Sequence, residues 1–281
     1  MSILILQSIH ELRQHVSKVK KSGQQVALVP TMGALHAGHM ELVNQAILTK
    51  AHVIVSIFVN PLQFAAGEDL SKYPRTFEAD RAKLFEAGAN AIYTPDAYEM
   101  YPEDFDLSLM PGGVAKVGLE DAFRPTHFQG VATVVAKLFA QSAADCAFFG
   151  EKDYQQLKVI IRMVNDLNLP IEIFSIATMR EPDGLAMSSR NAYLSAENRA
   201  KAPLIYSVLN QTVQAIKAGE QIEAALANGH RLLSEAGFKI DYYEARNADN
   251  LKEIVDRDKE KIRLLIAAKI GATRLIDNMG L

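Results

Sequence analysis

The sequence predicts an α/β protein: a doubly wound parallel sheet with helices on both faces, followed by a smaller α+β unit. Three observations carry that expectation. Strand-length apolar runs alternate with segments of helical period between residues 25 and 177. The alternation stops near residue 178, and beyond it helices and strands are segregated rather than interleaved. A chain of 281 residues, 49% apolar and 22% charged, has material for both units and is unlike a chain disordered throughout.

The elements follow in order. Gln25-Val26-Ala27-Leu28-Val29-Pro30 reads as a buried strand, residues 33–38 as a turn, and residues 39–51 as a helix with Met40, Val43, Ala46 and Ile47 on one face. Residues 52–59 are a nearly continuous apolar run, as in a strand covered on both faces, and Pro61 ends it. After a Gly- and Pro-bearing loop, residues 77–87 form an amphipathic helix closed by Gly88, and residues 91–93 a short strand. Residues 130–141 are helical, 145–149 a buried strand, 154–167 a helix and 171–177 a strand. A polar loop then runs to Ser195. Helical stretches at 197–218 and 222–236 precede strands near 241–246, 263–268 and 273–277. The division is placed at residue 178, giving units of 1–178 and 179–281. Ligands of such a parallel sheet sit beyond the carboxyl ends of its strands.

Thirty basic and 33 acidic side chains leave a net charge of −3, which gives no broad attraction for nucleic acid or an anionic membrane surface. Any anion site must be local. A single cysteine, Cys146, fits a reducing compartment and builds neither an internal disulfide nor a thiolate zinc site. The amino terminus lacks a basic leader with a long apolar stretch, so a cytoplasmic protein with no membrane partner is expected.

Three segments concentrate chemistry. In Pro30-Thr31-Met32-Gly33-Ala34-Leu35-His36-Ala37-Gly38-His39, a buried strand gives way to a helix, where unpaired N–H groups favour an anion and the glycines admit phosphate oxygens. Two histidines three apart can converge on those oxygens as donors; a metal would need a third ligand, and no H-E-x-x-H or cysteine cluster supplies one. In Phe149-Gly150-Glu151-Lys152-Asp153-Tyr154, Lys152 reads either as a phosphate-binding cation or as a solvated loop charge, and Asp153 as a helix cap. Residues 180–191, with Ser188, Ser189 and Arg190, read either as a flap over a polyphosphate or as a linker. Gln63 and Gln156 carry amides that can hold hydroxyls or a carboxylate without strong ion pairing, although a surface position is the commoner fate of glutamine.

Taken together and in order, Val29 to His39, Ser56-Ile57-Phe58-Val59-Asn60-Pro61-Leu62-Gln63-Phe64, Tyr73-Pro74-Arg75-Thr76, His127-Phe128-Gln129-Gly130-Val131, Phe149 to Leu157, Asp183 to Asn191 and Arg274-Leu275-Ile276-Asp277-Asn278 resemble the pantothenate synthetase (pantoate:β-alanine ligase) family over nearly the whole chain. The resemblance implies a Rossmann-like ATP/pantoate-binding domain, a small carboxy-terminal lid domain, and a homodimer. It also implies an ATP- and Mg²⁺-dependent condensation of (R)-pantoate with β-alanine through a pantoyl adenylate. Carried over by motif, Met32, Gly33, Ala34, Leu35, His36, Ala37, Gly38 and His39 belong to the ATP site, with His36 and His39 at the phosphates and His39 the proton donor. Gly150, Glu151, Lys152 and Asp153 also contact ATP; Met187, Ser188, Ser189 and Arg190 form the flap; Met179 lies on the adenine side; and Gln63 and Gln156 hold pantoate. His36, His39, Lys152 and Arg190 are the expected catalytic set. The chain departs from the family at Asp121 and Thr126, where glycine is common; a positive φ served by those glycines is one that Thr tolerates poorly, so the family's backbone geometry is not carried over to this loop, nor is any site role. The competing classes are an RNA-acting synthetase, a simple adenylyltransferase and a non-catalytic nucleotide-binding module. Net charge argues against the first, and a requirement for β-alanine or for ATP–pyrophosphate exchange separates the others.

Overall fold

The computed structural model describes residues 3–64, 70 and 73–281; part of the loop expected before residue 77 lies outside them. The first sheet contains β1 (Leu4–Leu6), β2 (Val26–Thr31), β3 (His52–Ile57), β4 (Ala91–Tyr93), β5 (Cys146–Gly150) and β6 (Glu172–Ile176). All its pairings are parallel, in the order β1-β4-β3-β2-β5-β6. The central strands are apolar along their length because helices cover both sides: α1 (Ile9–Lys21), α2 (Ala37–Leu48), α3 (Phe77–Ala87), α4 (Ala97–Met100), α5 (Glu120–Phe123), α6 (His127–Ser142) and α7 (Tyr154–Asp166). Alternate residues of β2 face opposite cores, Val26 and Leu28 on one side and Ala27 and Val29 on the other.

Several predicted ends have visible chemical causes. Gly88 closes α3 in the left-handed conformation, with φ +90°. β1 and α1 are additions to the sequence reading. Their signal was local: Ser8 and Glu11 form a reciprocal capping box, and Leu12, Val16 and Val19 are buried on one helical face. The predicted helix at 197–218 is corrected to two, α8 (Ala196–Lys201) and α9 (Leu204–Lys217). The chain breaks at Pro203, which has no N–H to continue the helical ladder.

Order in the sheet fixes the place of the site. From β2 the chain builds β3 and β4 on one side, then crosses to β5 and β6 on the other. The crevice beyond the carboxyl ends of β2 and β5 is therefore the topological switch point.

The remaining elements are α10 (Ile222–Glu235) and an antiparallel sheet of β7 (Lys239–Asn247), β8 (Ile262–Ile270) and β9 (Thr273–Gly280). Strand β8 is buried on both faces. Leu264, Ile266 and Ala268 pack with Val208, Leu209 and Leu233 from α9 and α10, whereas Leu265 and Ala267 join the core containing Leu28, Ile54 and Phe149. The small sheet is thus sandwiched between its own helices and the first sheet's core.

Candidate active site

The turn after β2 is held by a carboxylate distant in sequence. Asp80 of α3 is 1% exposed. Its Oδ2 accepts from the Ala34 N–H at 2.9 Å and from Thr76 Oγ1 at 3.1 Å, while its Oδ1 accepts from the Leu35 N–H at 2.8 Å. These bonds hold Ala34 at φ +51°, a conformation that costs an L-residue about 1 kcal/mol, beside Gly33 at φ +82°. Glycine suits position 33, where a side chain would be strained by the positive φ and its Cβ would stand 3.2 Å from Ile57 and 3.3 Å from Asp80.

The two histidines cap α2 reciprocally. His36 Nδ1 accepts from the Gly38 N–H at 3.2 Å, and His39 Nδ1 accepts from the His36 N–H at 3.3 Å. An imidazole replaces each partner of the usual Ser/Glu capping box. Since both Nδ1 atoms accept, both rings carry their proton on Nε2. Burial, with Lys152 nearby, lowers the His36 pKa to about 4; burial, with His36 beside it, lowers that of His39 to about 3. The pair therefore presents two neutral Nε2–H donors near neutral pH, with ring centres 4.0 Å apart.

Across the crevice, β5 ends at Gly150 and a single 3₁₀ turn, Glu151–Asp153, leads into α7. Lys152 Nζ lies 3.7 Å from the Asp153 carboxylate. Withdrawal from water opposes ionisation of Asp153, but Lys152 and Arg190 outweigh it and hold the pKa below its ordinary value. Glu151 points away, with its Oε2 accepting from Arg263 Nη2 at 2.9 Å.

The third wall follows β3. Asn60 is 1% exposed and cannot turn its amide over: Oδ1 accepts from the Leu62 N–H, and Nδ2 donates to the Gly130 carbonyl. The same Nδ2 donates to Gln63 Oε1 at 3.0 Å, leaving the Gln63 amide to donate toward Met32 and the cleft. His127 Nδ1 donates to the Gln63 carbonyl, and its Nε2 accepts from Arg124; burial, then that arginine, lowers its pKa to about 4.

The segment expected to form the flap begins as a hairpin. Met187 N–H donates to the Met179 carbonyl, Glu181 N–H to the Leu185 carbonyl, and Gly184 takes φ +91° at the tip. Ser188 then caps the 3₁₀ turn Ser189–Tyr193, and Ser189 Oγ approaches Tyr73 Oη at 3.4 Å.

These walls enclose a cleft of about 230 Å³. Met32, His36, Gly38, His39, Gln63, Gly150, Lys152, Asp153, Gln156, Met179 and Met187 to Arg190 all line it. Gly33, Ala34, Leu35, Ala37 and Glu151 do not; the first three shape the turn behind it. Asn60, Tyr73, Arg124, His127 and Thr178 line the cleft as well, beyond the residues assigned from sequence. Thr178 Oγ1 is buried with no protein partner among the described residues. A second cavity of about 500 Å³ adjoins it, sharing Lys152, Gln156 and Arg190 and reaching β9.

The sequence matches the Pantoate-beta-alanine ligase family over residues 4–280. The chain belongs to that family. Among pantoate-β-alanine ligase relatives, the pantothenate synthetase of Nitrobacter winogradskyi is 51% identical over 276 residues, covering 98% of each chain. That of Rhodopseudomonas palustris BisA53 is 50% identical over 278 residues, 99% of this chain and 98% of its own. The crystal structure of the Thermus thermophilus enzyme superposes with a TM-score of 0.93 at 43% identity, covering 99% of both chains. The Francisella tularensis ligase, solved with β,γ-ATP and β-alanine, has a TM-score of 0.83 at 32% identity, covering 99% of this chain and 98% of its own.

Where this ligase departs from glycine, neither residue needs a positive φ. Thr126 has φ −98°, and Asp121 is absent from the residues of positive φ. Asp121 instead accepts from the N–H groups of Gly118 and Leu119 and from Gln155 Nε2, each at 3.0 Å. No group of three or more His, Cys, Asp or Glu among the described residues is placed to hold a metal.

Proposed function

We propose that the cleft at the switch point carries out the family reaction: ATP-dependent condensation of (R)-pantoate with β-alanine to pantothenate, AMP and pyrophosphate. The observation that carries the residue assignments is the convergence of two helix amino termini, two neutral imidazole donors and Lys152 on one cleft. In the first step a pantoate carboxylate oxygen bonds to the α-phosphorus and the bond to pyrophosphate breaks. In the second, the β-alanine amine attacks the acyl carbon and AMP leaves. Negative charge grows on phosphoryl oxygens in the first step, where His36, His39, Lys152 and Arg190 supply donors fixed before reaction. Gln63 and Gln156 hold pantoate, with Gln63 presenting N–H to an oxygen of the acid. Met179, Met187, Ser188 and Ser189 close over the nucleotide and exclude water that would destroy the mixed anhydride.

The protein groups fit magnesium carried in on the triphosphate, because the cleft offers the isolated carboxylate of Asp153 among cations rather than a protein cage. Residues 1–178 then form the ATP- and pantoate-binding domain, and residues 179–281 the lid. No helix among the described residues is long and apolar enough to cross a membrane. A cytoplasmic enzyme acting as a homodimer completes the reading. Met110, 74% exposed beside an apolar groove of about 770 Å³, favours a partner surface there. ATP–pyrophosphate exchange tests the reaction: exchange should require pantoate and not β-alanine, and pantoate-independent exchange would refute the adenylation order.

A further inference from the structure

The loop bearing Lys152 is held from the opposite domain. Asn278, on β9, is 3% exposed. Its Nδ2 donates to the carbonyl of Glu151 and to the carbonyl of Lys152, both at 2.9 Å, and its Oδ1 accepts from Arg263 Nε at 2.7 Å. The two carbonyls can only accept and the guanidinium can only donate, so the amide has one possible orientation. Arg263 is fixed in turn by Glu151, 2.9 Å from its Nη2, and by the Tyr154 ring, 3.9 Å from the guanidinium carbon. Tyr154 Oη donates back to the Ala248 carbonyl at 2.9 Å. A side chain more than a hundred residues away thus donates to two successive carbonyls of this short 3₁₀ turn.

We propose that Asn278 is a positioning residue for adenylation, acting through Lys152: docking of the carboxy-terminal sheet sets the Lys152 backbone and so the place of its ammonium. The inference rests on the reading of Lys152 as the phosphate-binding cation. The small sheet is then more than a cover, because the first catalytic step requires it to be seated.

The full-length chain tests this. Replacement Asn278→Ala should slow pantoate-dependent ATP–pyrophosphate exchange by ~10- to 100-fold, the range for about 1 Å of misplacement. The KM for β-alanine should change less than about twofold, an order-of-magnitude bound for a group outside that step. In a Lys152→Gln background, Asn278→Ala should slow exchange no further, since the group it positions is already gone. A merely structural role would instead multiply the two losses, and that result would overturn the proposal. Parental exchange by folded Asn278→Ala, alongside an impaired Lys152→Gln, would overturn it while leaving the reading of Lys152 intact. Parental exchange by Lys152→Gln would overturn both. If Asn278→Ala does not fold, Asn278→Ser, which keeps one donor, should show an intermediate loss, and parental exchange there overturns the proposal equally.

Discussion

Replacing Asp80 by asparagine alters one buried atom and isolates what the carboxylate does. Asp80 accepts three hydrogen bonds, two from backbone N–H groups of the turn before His36. Asparagine keeps one acceptor oxygen, which can serve only one side of that arrangement, and sets an NH₂ group against a donor on the other. Hydrogen bonds to a charged acceptor are worth roughly 1.5–3 kcal/mol, and a buried N–H left unpaired costs roughly 1–3 kcal/mol. Relaxation of Ala34 out of the left-handed region returns about 1 kcal/mol. The net expectation is a loss of about 2–4 kcal/mol in urea unfolding. The same relaxation moves the amino end of α2, which carries His36 and His39, and about 1 Å of displacement there costs on the order of 10² in exchange rate. Both quantities are measurable on one preparation. Stability within about 0.5 kcal/mol of the parent, with exchange within about twofold, would refute the claim that Asp80 holds the turn.

Three further perturbations probe the other walls. The folded pKa values of about 3 for His39 and about 4 for His127 lie below the unfolded value of 6.5. Between these values the unfolded chain binds protons that the native one does not, so stability is full above pH 6.5 and falls toward pH 4. Each contributes a slope of about 1.4 kcal/mol per pH unit at most. His39→Gln should remove one such slope from urea midpoints measured at several pH values, and an unchanged slope would contradict a buried neutral His39; the variant should also slow exchange by about 10² or more. Gly130→Ala would drive a Cβ into the Leu62 carbonyl oxygen and set it 2.6 Å from the Gln63 nitrogen, two backbone atoms that cannot swing aside. It should destabilise by about 1–3 kcal/mol and raise the KM for pantoate, and parental values for both would show that the Pro61–Gln63 turn yields freely. Gln63→Ala should weaken pantoate binding more than ATP binding in calorimetric titration; an unchanged pantoate isotherm removes Gln63 from the acid's site.

Legibility in the sequence followed the range of the interaction. Strands β2 and β3 are read from continuous apolar runs because helices cover both faces, and the end of α3 is read from Gly88 because a left-handed closing residue favours glycine. The break at Pro203 and the Ser8/Glu11 capping box also have local signals, which the broad helical period at 197–218 and the brevity of β1 outweighed. The motif around His36 and His39 is what carries the proposal of a phosphate site, but period and composition do not show that each ring caps α2 through Nδ1 and so keeps its proton on Nε2. Glu151 lies within a segment expected to contact ATP, yet its carboxylate is taken by Arg263, which lies far along the chain.

The same distinction separates the groups to which the chemistry is assigned from those that place them. His36, His39 and Lys152 lie just beyond the carboxyl ends of β2 and β5, because a parallel sheet delivers its loops to one edge. Loops at that edge carry unpaired backbone groups, and the partners must come from elsewhere. Asp80 supplies acceptors to the N–H groups of one loop, and Asn278 supplies donors to the carbonyls of the other. Each loop therefore receives the polarity it lacks. A carboxylate at 278 would face two carbonyls with no proton to give, and an amide at 80 would face two N–H groups with too few lone-pair directions. Asn278→Asp should accordingly slow exchange at least as much as Asn278→Ala even though it preserves size, and equal activity of the aspartate and asparagine forms would show that shape rather than donor polarity holds the Lys152 loop.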